Sequence, residues 1–464
     1  MDAARMLAVS AKLPLAEAVV QVLQFVGGAA RLQAIFDDHR GRCYDKLIRF
    51  PDLVTLIADA LLEHGGSGNQ SFSRAHEAGE LEASKVAAYG KLGRLPIAVS
   101  QAFLAELSRD LRTLFPAVAR RQPPASLRGL NTIILDGKAI KRVAKRLKLL
   151  RALAGGMLGG RALVALHYET GQAIGMHADE DGDANDVRFV PDLLPLMRAQ
   201  IEGVLLFLAD SGFCDLNRFE EFTEGGNHFL VRRHPKVGFH PDPDRPAQTG
   251  SDPHGRTFRD EWGWLGVATH PKRRYVRQIT LTRPVESDVV LVTDLLDADR
   301  FPTVELLEHY RERWGIEQVF QKVTEVFHLQ GLIGSTPKAT IFQFAFCLVL
   351  YNLIQLIRGY IAAHQQRPTE TISIENLFLD VHRQLTAWSV LRESGIPLEF
   401  TSVSGLPAVA ARLNEILAHA WSDRWIKANN KKRRSHVPKP HDRSHGAVFR
   451  VLQAARPKTR KLRC

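Results

Sequence analysis

A run of six apolar residues followed by an aspartate decides the fold: residues 204–210 read VLLFLAD. An unbroken apolar run of this length is typical of a strand that is buried on both faces of a sheet. Residues 132–136 read TIILD and form a second, shorter run of the same kind. An amphipathic helix is predicted between the two runs, at residues 186–200. Strands that alternate with helices in this way indicate an α/β domain with a mixed sheet.

Further strands are predicted on both sides of these two. Residues 161–168 and 172–177 read as a hairpin that turns at Gly171, and residues 228–231 and 289–293 are short apolar strands. The intervening residues 233–288 begin with turn residues and then alternate in strand fashion through Trp262 and Trp264. We interpret this stretch as a β-rich insertion. A long helix is predicted from about residue 302 to residue 327.

Helical segments flank the α/β part of the chain. Helical spacing of apolar residues before residue 125 predicts a helical N-terminal domain over residues 1–125. The α/β domain then spans residues 126–360, a helical C-terminal region spans residues 361–420, and a tail spans residues 421–464. The apolar residues 341–357 include Gln343, Asn352 and Gln355 and are short for a membrane span. We therefore predict a buried core helix there and no membrane association.

The positive charge is concentrated in the tail. The 464 residues carry a formal net charge of +12, yet residues 424–464 alone hold 14 Lys or Arg and one acid. The densest basic run of the tail is Lys431, Lys432, Arg433 and Arg434. A second basic run over residues 138–151 includes Lys138, Lys141 and Arg142. One such run is often a solvated surface, but two favour a polyanion, and nucleic acid in particular, as the partner.

Composition excludes several other classes of protein. Hydrophobic residues make up 45% and charged residues 24% of the chain, which is ordinary for a globular protein and unlike a disordered or collagen-like one. The four cysteines form no C-x-x-C pair, so neither a zinc finger nor a disulfide scaffold is expected. A reducing cytoplasm suits this cysteine content.

Three acids stand out by their positions. Asp136 and Asp210 each follow a predicted buried strand, and Glu317 lies on the long helix after the insertion. Carboxylates at the carboxyl ends of neighbouring strands meet at one edge of the sheet, and a helix packed there can add a third. Hard oxygen donors of this kind suit magnesium or manganese. Each acid taken singly is also an ordinary turn or cap residue, so the combination carries the hypothesis.

The helix around Glu317 gives this combination its support. At 100° per residue, Tyr310, Arg313, Glu317 and Thr324 fall within an arc of about 60°. An apolar stripe beside this arc is predicted to face the core; it consists of Ile316, Phe320, Val323 and Phe327. An arginine at the edge of the buried face offers two parallel hydrogen-bond donors to a phosphate.

At these residues the chain resembles the DDE transposases of bacterial insertion sequences, in the group with the signature Y-x2-R-x3-E-x6-K. Tyr310, Arg313 and Glu317 match the spacing of that signature. Further blocks that resemble the family are LDGK at residues 135–138, ADSGF at 209–213 and VTDLLD at 292–297. The sequence departs from the family at two positions, since Thr324 stands in place of the final lysine and Ser211 stands where an arginine is common. Both departures remove charge that could bind phosphate.

The resemblance implies a ribonuclease H-like catalytic domain in which Asp136, Asp210 and Glu317 hold two magnesium ions, with manganese as an alternative. Such an enzyme would cut double-stranded DNA at the ends of a transposable element and join them to target DNA. Tyr310 and Arg313 would contact the DNA backbone. Trp262 or Trp264 would stack on a flipped base.

The remaining expectations concern DNA binding and assembly. The helical N-terminal domain and the basic residues Lys138, Lys141, Arg142 and Lys431, Lys432, Arg433 and Arg434 would bind DNA. A homodimer on DNA, in the bacterial cytoplasm at the nucleoid, is the expected assembly. Two alternatives stay open: a catalytically inactive DNA-binding relative that acts as a repressor, and a metal-dependent nuclease without strand transfer.

Overall fold

The structure is a computed structural model. It describes residues 12–140, 147–151, 153, 156–283, 287–326, 331, 333–394, 400, 402–427 and 446–455.

A mixed sheet of ten strands forms the centre of the described part of the molecule. Its strands are β1 (Leu130–Ala139), β3 (Arg161–His167), β4 (Gln172–Asp179), β5 (Val204–Ala209), β6 (His228–Arg232), β7 (Phe239–Pro241), β8 (Gln248–Ser251), β9 (Thr257–Leu265), β10 (Arg274–Leu281) and β11 (Val289–Thr293). Their order is β4-β3-β1-β5-β6-β11-β10-β9-β7, and β8 pairs with β9. Within this sheet, the parallel strand pairs are β1 with β5 and β5 with β6. The two short strands β2 (Met157–Leu158) and β12 (Gly446–Ala447) pair separately.

Helices precede, interrupt and follow the sheet. They are α1 (Pro14–Val26), α2 (Ala29–His39), α3 (Phe50–Leu62), α4 (Gly68–Glu77), α5 (Lys85–Arg94), α6 (Ile97–Leu114), α7 (Lys148–Arg151), α8 (Val190–Gln200), α9 (Phe219–Thr223), α10 (Thr303–Arg311), α11 (Trp314–Glu325), α12 (Pro337–His364), α13 (Ile374–Glu393), α14 (Leu406–Leu417) and α15 (Val448–Ala454).

The predicted β-rich insertion is part of the central sheet. Strands β7 to β10, all within residues 233–288, extend the sheet beyond β11. The stretch 233–255, predicted as a loop, contains β7 and β8. Because periodicity describes a strand but not its partner, this continuation could not be predicted from the pattern of residues.

Each face of the sheet has its own hydrophobic cluster. Alternate residues of β1 and β5 separate cleanly, since Ile134, Leu206 and Leu208 belong to one cluster and Ile133 and Phe207 to the other. The first cluster also contains apolar residues of α1 to α6 and α10 to α14, and the second is closed by α8 and α9. The helices before and after the sheet thus share one core on the first face.

Helix α12 is the centre of that shared core. It is the described helix that is long and apolar enough to span a membrane, and its most apolar window is entirely buried within the protein. Its polar residues bond to neighbouring backbone: Asn352 donates to the carbonyl of Ala173 at 2.6 Å and accepts from its N–H at 2.8 Å. Gln355 donates to the carbonyl of Thr170 at 3.0 Å. Buried amides with such partners fit the predicted core helix.

The first helix packs on the last ones. Gln384 on α13 accepts hydrogen bonds from the backbone N–H groups of Leu15 and Ala16 at the start of α1. Arg412 on α14 forms an ion pair with Glu17, whose side chain is only 7% exposed. These contacts join parts of the chain that lie almost 400 residues apart.

Candidate active site

Asp136 and Asp210 lie side by side on neighbouring parallel strands. Leu135 on β1 is the register partner of Ala209 on β5, and the two aspartates follow at the next position. Residues before them on the same face, Ile134 and Leu208, belong to the first cluster, so both carboxylates project to the face that carries α10 and α11. Asp136 does not end its strand, because β1 continues to Ala139 while pairing with β3.

The helix predicted over residues 302–327 is two helices. It is interrupted at Glu312 and Arg313, whose N–H groups bond to the carbonyls three residues earlier, at 3.1 Å each. Bonds of this 3₁₀ type tighten the chain and turn the axis between α10 and α11. The predicted apolar stripe of α11 is confirmed for Ile316, Phe320 and Val323, which are buried. Phe327 lies outside the described residues.

The junction of α10 and α11 brings three polar side chains to the carboxylates. Tyr310 is buried and its hydroxyl donates to the carbonyl of Ala209, next to Asp210, at 3.1 Å. The guanidinium of Arg313 is 7% exposed and donates to Glu317 at 3.0 Å. The sequence thus predicted a group of residues that lie together in the structure, although it predicted one continuous helix to hold them.

The charges of these residues shift one another's pKa values. The pKa of Asp136 is raised to about 6, chiefly by burial and also by the charges of Glu317 and Asp186, although Arg313 and the N–H of Gly137 oppose the rise. Burial opposes the charge of Arg313, but the neighbouring Tyr310, Asp210 and Glu317 outweigh it and raise the pKa of Arg313. Arg313 is therefore the cation that compensates the carboxylates of this edge.

The carboxylates fit a divalent cation in donor type. The oxygen Oδ1 of Asp210 is buried and has no hydrogen-bond partner among the described residues, which leaves it free to bind a cation. Within the same described residues, no three Asp, Glu, His or Cys side chains are yet gathered closely enough to hold a metal ion. Glu317 is paired with Arg313 through Oε1, so a cation held by Glu317 would share or compete for this carboxylate with Arg313.

Asp186 is an acid at this edge that the sequence reasoning missed. Its carboxylate lies directly over Gly137, where an added Cβ would be 1.9 Å from Asp186 Cγ. It forms an ion pair with Arg161 on β3. Since the short helical turn that carries Asp186 is distant in sequence from Asp136, no spacing rule predicts this contact.

A cavity of about 870 Å³ opens beside Asp210. Five arginines line this arginine cavity: Arg232, Arg256, Arg283, Arg311 and Arg313. Trp314, which is 60% exposed, lies at its wall, whereas neither Asp136 nor Glu317 lines it. The rule that predicted the aspartates could have found Arg232, because it ends β6, the next parallel strand.

Of the basic residues predicted to bind DNA, the structure describes only some. Lys138 lies two residues after Asp136 on the same face of β1, with its ammonium 5.5 Å from the centre of the Phe320 ring on α11. Lys141, Arg142 and the tail residues Lys431, Lys432, Arg433 and Arg434 lie outside the described residues.

The structure does not bring Trp262 and Trp264 to the carboxylate edge. Leu281, at the end of β10, lines the arginine cavity, whereas Trp264 pairs with Tyr275, six residues or roughly 20 Å away along that strand. Trp262 is 1% exposed, and the guanidinium groups of Arg245 and Arg277 lie over its ring. Trp262 therefore has no free face for a base, and Trp264, 39% exposed, lies at the other end of the sheet.

The two departures from the signature are also located. Thr324 Oγ1 donates to the carbonyl of Phe320 within α11 at 2.6 Å. Lys322 points away from Glu317 and forms an ion pair with Glu375 on α13, so it does not replace the missing lysine. Ser211 begins the short turn that follows Asp210.

Comparison with known proteins finds similarities to one protein family and to one solved structure. Residues 131–353, a little under half of the chain, match the family model described as the transposase DDE domain. A cryo-EM structure of the piggyBac transposase synaptic complex with hairpin DNA is 11% identical; the match covers 89% of this chain and 78% of that one, with a TM-score of 0.35. This score is too low to establish a shared fold, and no curated protein matches the sequence. The segment that carries Asp136, Asp210 and Glu317 is thus a match to the transposase DDE domain.

Proposed function

We propose that the protein is a transposase that cleaves DNA at the ends of a transposable element and transfers the strands to target DNA in a divalent-metal-dependent reaction. The observation that carries the proposal is the position of Asp136 and Asp210 directly after the paired residues Leu135 and Ala209 of adjacent parallel strands, near Arg313 and Glu317, inside the segment that matches the transposase DDE domain. A ribonuclease H-like core, as the sequence resemblance implies, is part of this proposal.

Asp136, Asp210 and Glu317 would hold two magnesium or manganese ions. When bound, such ions activate an attacking oxygen and stabilise a leaving one. A cation held by Glu317 would weaken its ion pair with Arg313, and the guanidinium would then offer its fork of donors to a DNA phosphate. Tyr310 keeps the α10 end in place through its bond to the carbonyl of Ala209.

The arginine cavity is the proposed entry for DNA. Its five arginines supply phosphate contacts beside Asp210, and the exposed ring of Trp314 offers a surface on which a base can stack. The N-terminal helices, Lys138 and the basic tail would extend this contact. A homodimer on two DNA ends, in the cytoplasm at the nucleoid, completes the proposal.

Strand transfer with purified protein tests this function. A marker flanked by the DNA ends that border the gene is incubated with target DNA and magnesium, with wild type and Asp210→Asn side by side. We expect joined products with wild type and a loss of at least about 100-fold with the variant, because the amide keeps the shape of Asp210 but binds the cation poorly. Val267→Ala is the matched control, because Val267 is 55% exposed and follows β9 at the end of the strands opposite the carboxylates.

The other outcomes separate the alternatives. Cleavage without joined products would indicate a nuclease. DNA binding without either reaction, in wild type and variant alike, would leave a DNA-binding relative that acts as a repressor and would overturn the catalytic assignment.

A further inference from the structure

A second cavity lies on the other side of Trp314. Its volume is about 840 Å³, and it is enclosed by α11, α12, the start of α13 and residues 423–427. It shares Arg311, Glu312 and Trp314 with the arginine cavity, so the two spaces are neighbours along one surface. We call it the Arg358 cavity, after the arginine of α12 that lines it.

Arg358 is a buried cation with unused donors. It is 5% exposed, and its Nη1 donates a hydrogen bond to Gln355 Oε1 at 2.9 Å. Its Nε and Nη2 atoms are buried and have no partner among the described residues. Burial lowers the pKa of Arg358 to about 10, so it still carries its charge at neutral pH. A buried charge with unsatisfied donors is costly unless a further partner binds it.

Three of the other cations of this cavity have carboxylate partners, whereas Arg311 and Lys427 have none in contact within the described residues. Arg121 pairs with Glu370, Lys322 with Glu375, and Arg424 with Asp380. Within the described residues, neither Arg358 nor Lys427 has a carboxylate in ion-pair contact. Lys427 is exposed, and its pKa is lowered to about 8 by partial desolvation together with the charges of Arg358 and Lys322.

These groups indicate the chemistry of a ligand that would fit the cavity. Arg358 and Lys427, which lack a carboxylate in ion-pair contact, face one space, and the donors of a guanidinium suit an anion with several oxygens. The N-terminal end of α13 also lines the cavity, through residues 373–376, and adds the positive end of a 20-residue helix. A phosphate satisfies all three features at once.

We propose that the Arg358 cavity is a second phosphate-binding site, which takes a backbone phosphate of the DNA strand that occupies the arginine cavity. The shared wall at Arg311 and Trp314 supports a DNA source over a free anion, because a strand that leaves the arginine cavity past Trp314 reaches the second cavity directly. This inference rests on the proposed function for its ligand.

Salt dependence of DNA binding tests the site without catalysis. Binding of the full chain to a short labelled duplex of arbitrary sequence is measured by fluorescence anisotropy in EDTA across a sodium chloride series. Each lost phosphate contact reduces the slope of log K against log salt by about 0.9. We expect this reduction for Arg358→Gln and for Lys427→Gln, and a slope near that of wild type for Arg358→Lys, which retains the charge.

Arg392→Gln is the matched control. Arg392 is exposed in the last turn of α13, stacks on Trp388 at 4.9 Å and lines neither cavity. Its substitution is expected to leave the slope unchanged. Thermal unfolding of each variant verifies folding, and Lys427→Gln keeps the test decisive if Arg358→Gln fails to fold.

A second measurement separates bound DNA from a free anion. Thermal unfolding is recorded in inorganic phosphate and in chloride at equal ionic strength. If Arg358→Gln abolishes stabilisation by phosphate while the DNA slope stays that of wild type, the cavity binds a free anion and the DNA assignment is overturned. If neither readout changes, the cavity is not an anion site.

The experiments distinguish a failure of the proposed function from a failure of the phosphate site. If strand transfer is absent but Arg358→Gln still reduces the slope, the phosphate site stands and the catalytic proposal does not. If wild type binds no DNA, the proposed DNA partner is lost, and the DNA assignment of this cavity with it.

Discussion

Gly137 shows how little space the carboxylate edge leaves. Any side chain at this position would overlap the carboxylate of Asp186, which in turn holds Arg161 on the neighbouring strand β3. Since Gly137 directly follows Asp136, the glycine lets a second acid approach the first. The LDGK block therefore needs its glycine for packing within the strand.

We expect Gly137→Ala to lower the free energy of unfolding by about 1–3 kcal/mol, because the new methyl group must displace Asp186 and open its ion pair with Arg161. Urea denaturation of both proteins measures this difference. Gly212→Ala is the control, since a Cβ there meets nothing within 4 Å, and it is expected to be near neutral. Equal stabilities for the two variants would contradict the tight packing at Gly137.

Helix α10 is fixed to the sheet by a buried histidine. His309 is 1% exposed, and its Nε2 is 2.8 Å from Thr132 Oγ1 on β1. Its ring also makes an edge contact with Tyr168, with centroids 4.7 Å apart. The contact places Tyr310, the next residue, against the end of β5.

This burial predicts sensitivity to acid. Burial lowers the pKa of His309 to about 4, below the value of about 6.5 in the unfolded chain, so the unfolded state binds the proton more readily. Stability is therefore complete above pH 6.5 and is lost as the pH falls towards 4. Between pH 7 and pH 5 we expect His309 to account for a loss of about 2 kcal/mol.

Urea unfolding of wild type and His309→Gln at the two pH values provides the measurement. Glutamine can keep the bond to Thr132 but does not titrate, so the variant should lose less stability on acidification. A loss of the same size in both proteins would mean that His309 does not titrate as its burial requires. His167, whose pKa burial lowers to about 3, remains in both proteins as a common background.

The sequence predicted elements better than their partners. The strands at Val204–Ala209 and Val289–Thr293 lie where the apolar runs predicted them, and the hairpin turns at Gly171. The helix over 302–327 was predicted as one element, because the periodicity of α10 and α11 is nearly in phase across a two-residue 3₁₀ break. Local spacing carries no signal for that break.

At the candidate site, too, local sequence features predicted individual residues but not their partners in space. Asp136, Asp210 and Glu317 were predicted because strand ends and helical spacing are local features. Asp186, Arg256 and Arg283 come near the carboxylates only through the tertiary arrangement of the chain, which the sequence did not indicate. Trp262 and Trp264 were placed at the site by resemblance alone, and the antiparallel course of β9 carries them to the other end.

At the scale of the whole molecule, helices from both ends of the chain form one aromatic cluster around α12. Phe342 contacts Phe50 and Phe103 with ring centroids 5.6 and 5.3 Å apart, and Phe103 stacks on Phe346 at 5.8 Å. The predicted N-terminal domain over residues 1–125 therefore has much of its apolar surface against α12.

We expect a protein of residues 1–125 alone to lack a cooperative unfolding transition, because α12, which covers that surface, is missing. Near-ultraviolet circular dichroism during a urea titration measures this, with the full chain as the control. A sharp transition in the fragment would show instead that these residues fold as an independent domain.

Because α1 packs on α13 and α14, it cannot complete its packing until the ribosome has synthesised α14. A ribosome that adds roughly 5–20 residues per second needs on the order of 20–80 s to proceed from α1 to the end of α14. Throughout that interval Leu15, Val19 and Val22, all buried in the finished protein, lack their final covering. The nascent chain is thus a substrate for chaperones for most of its translation, and slow codons between α12 and α14 would lengthen the exposure.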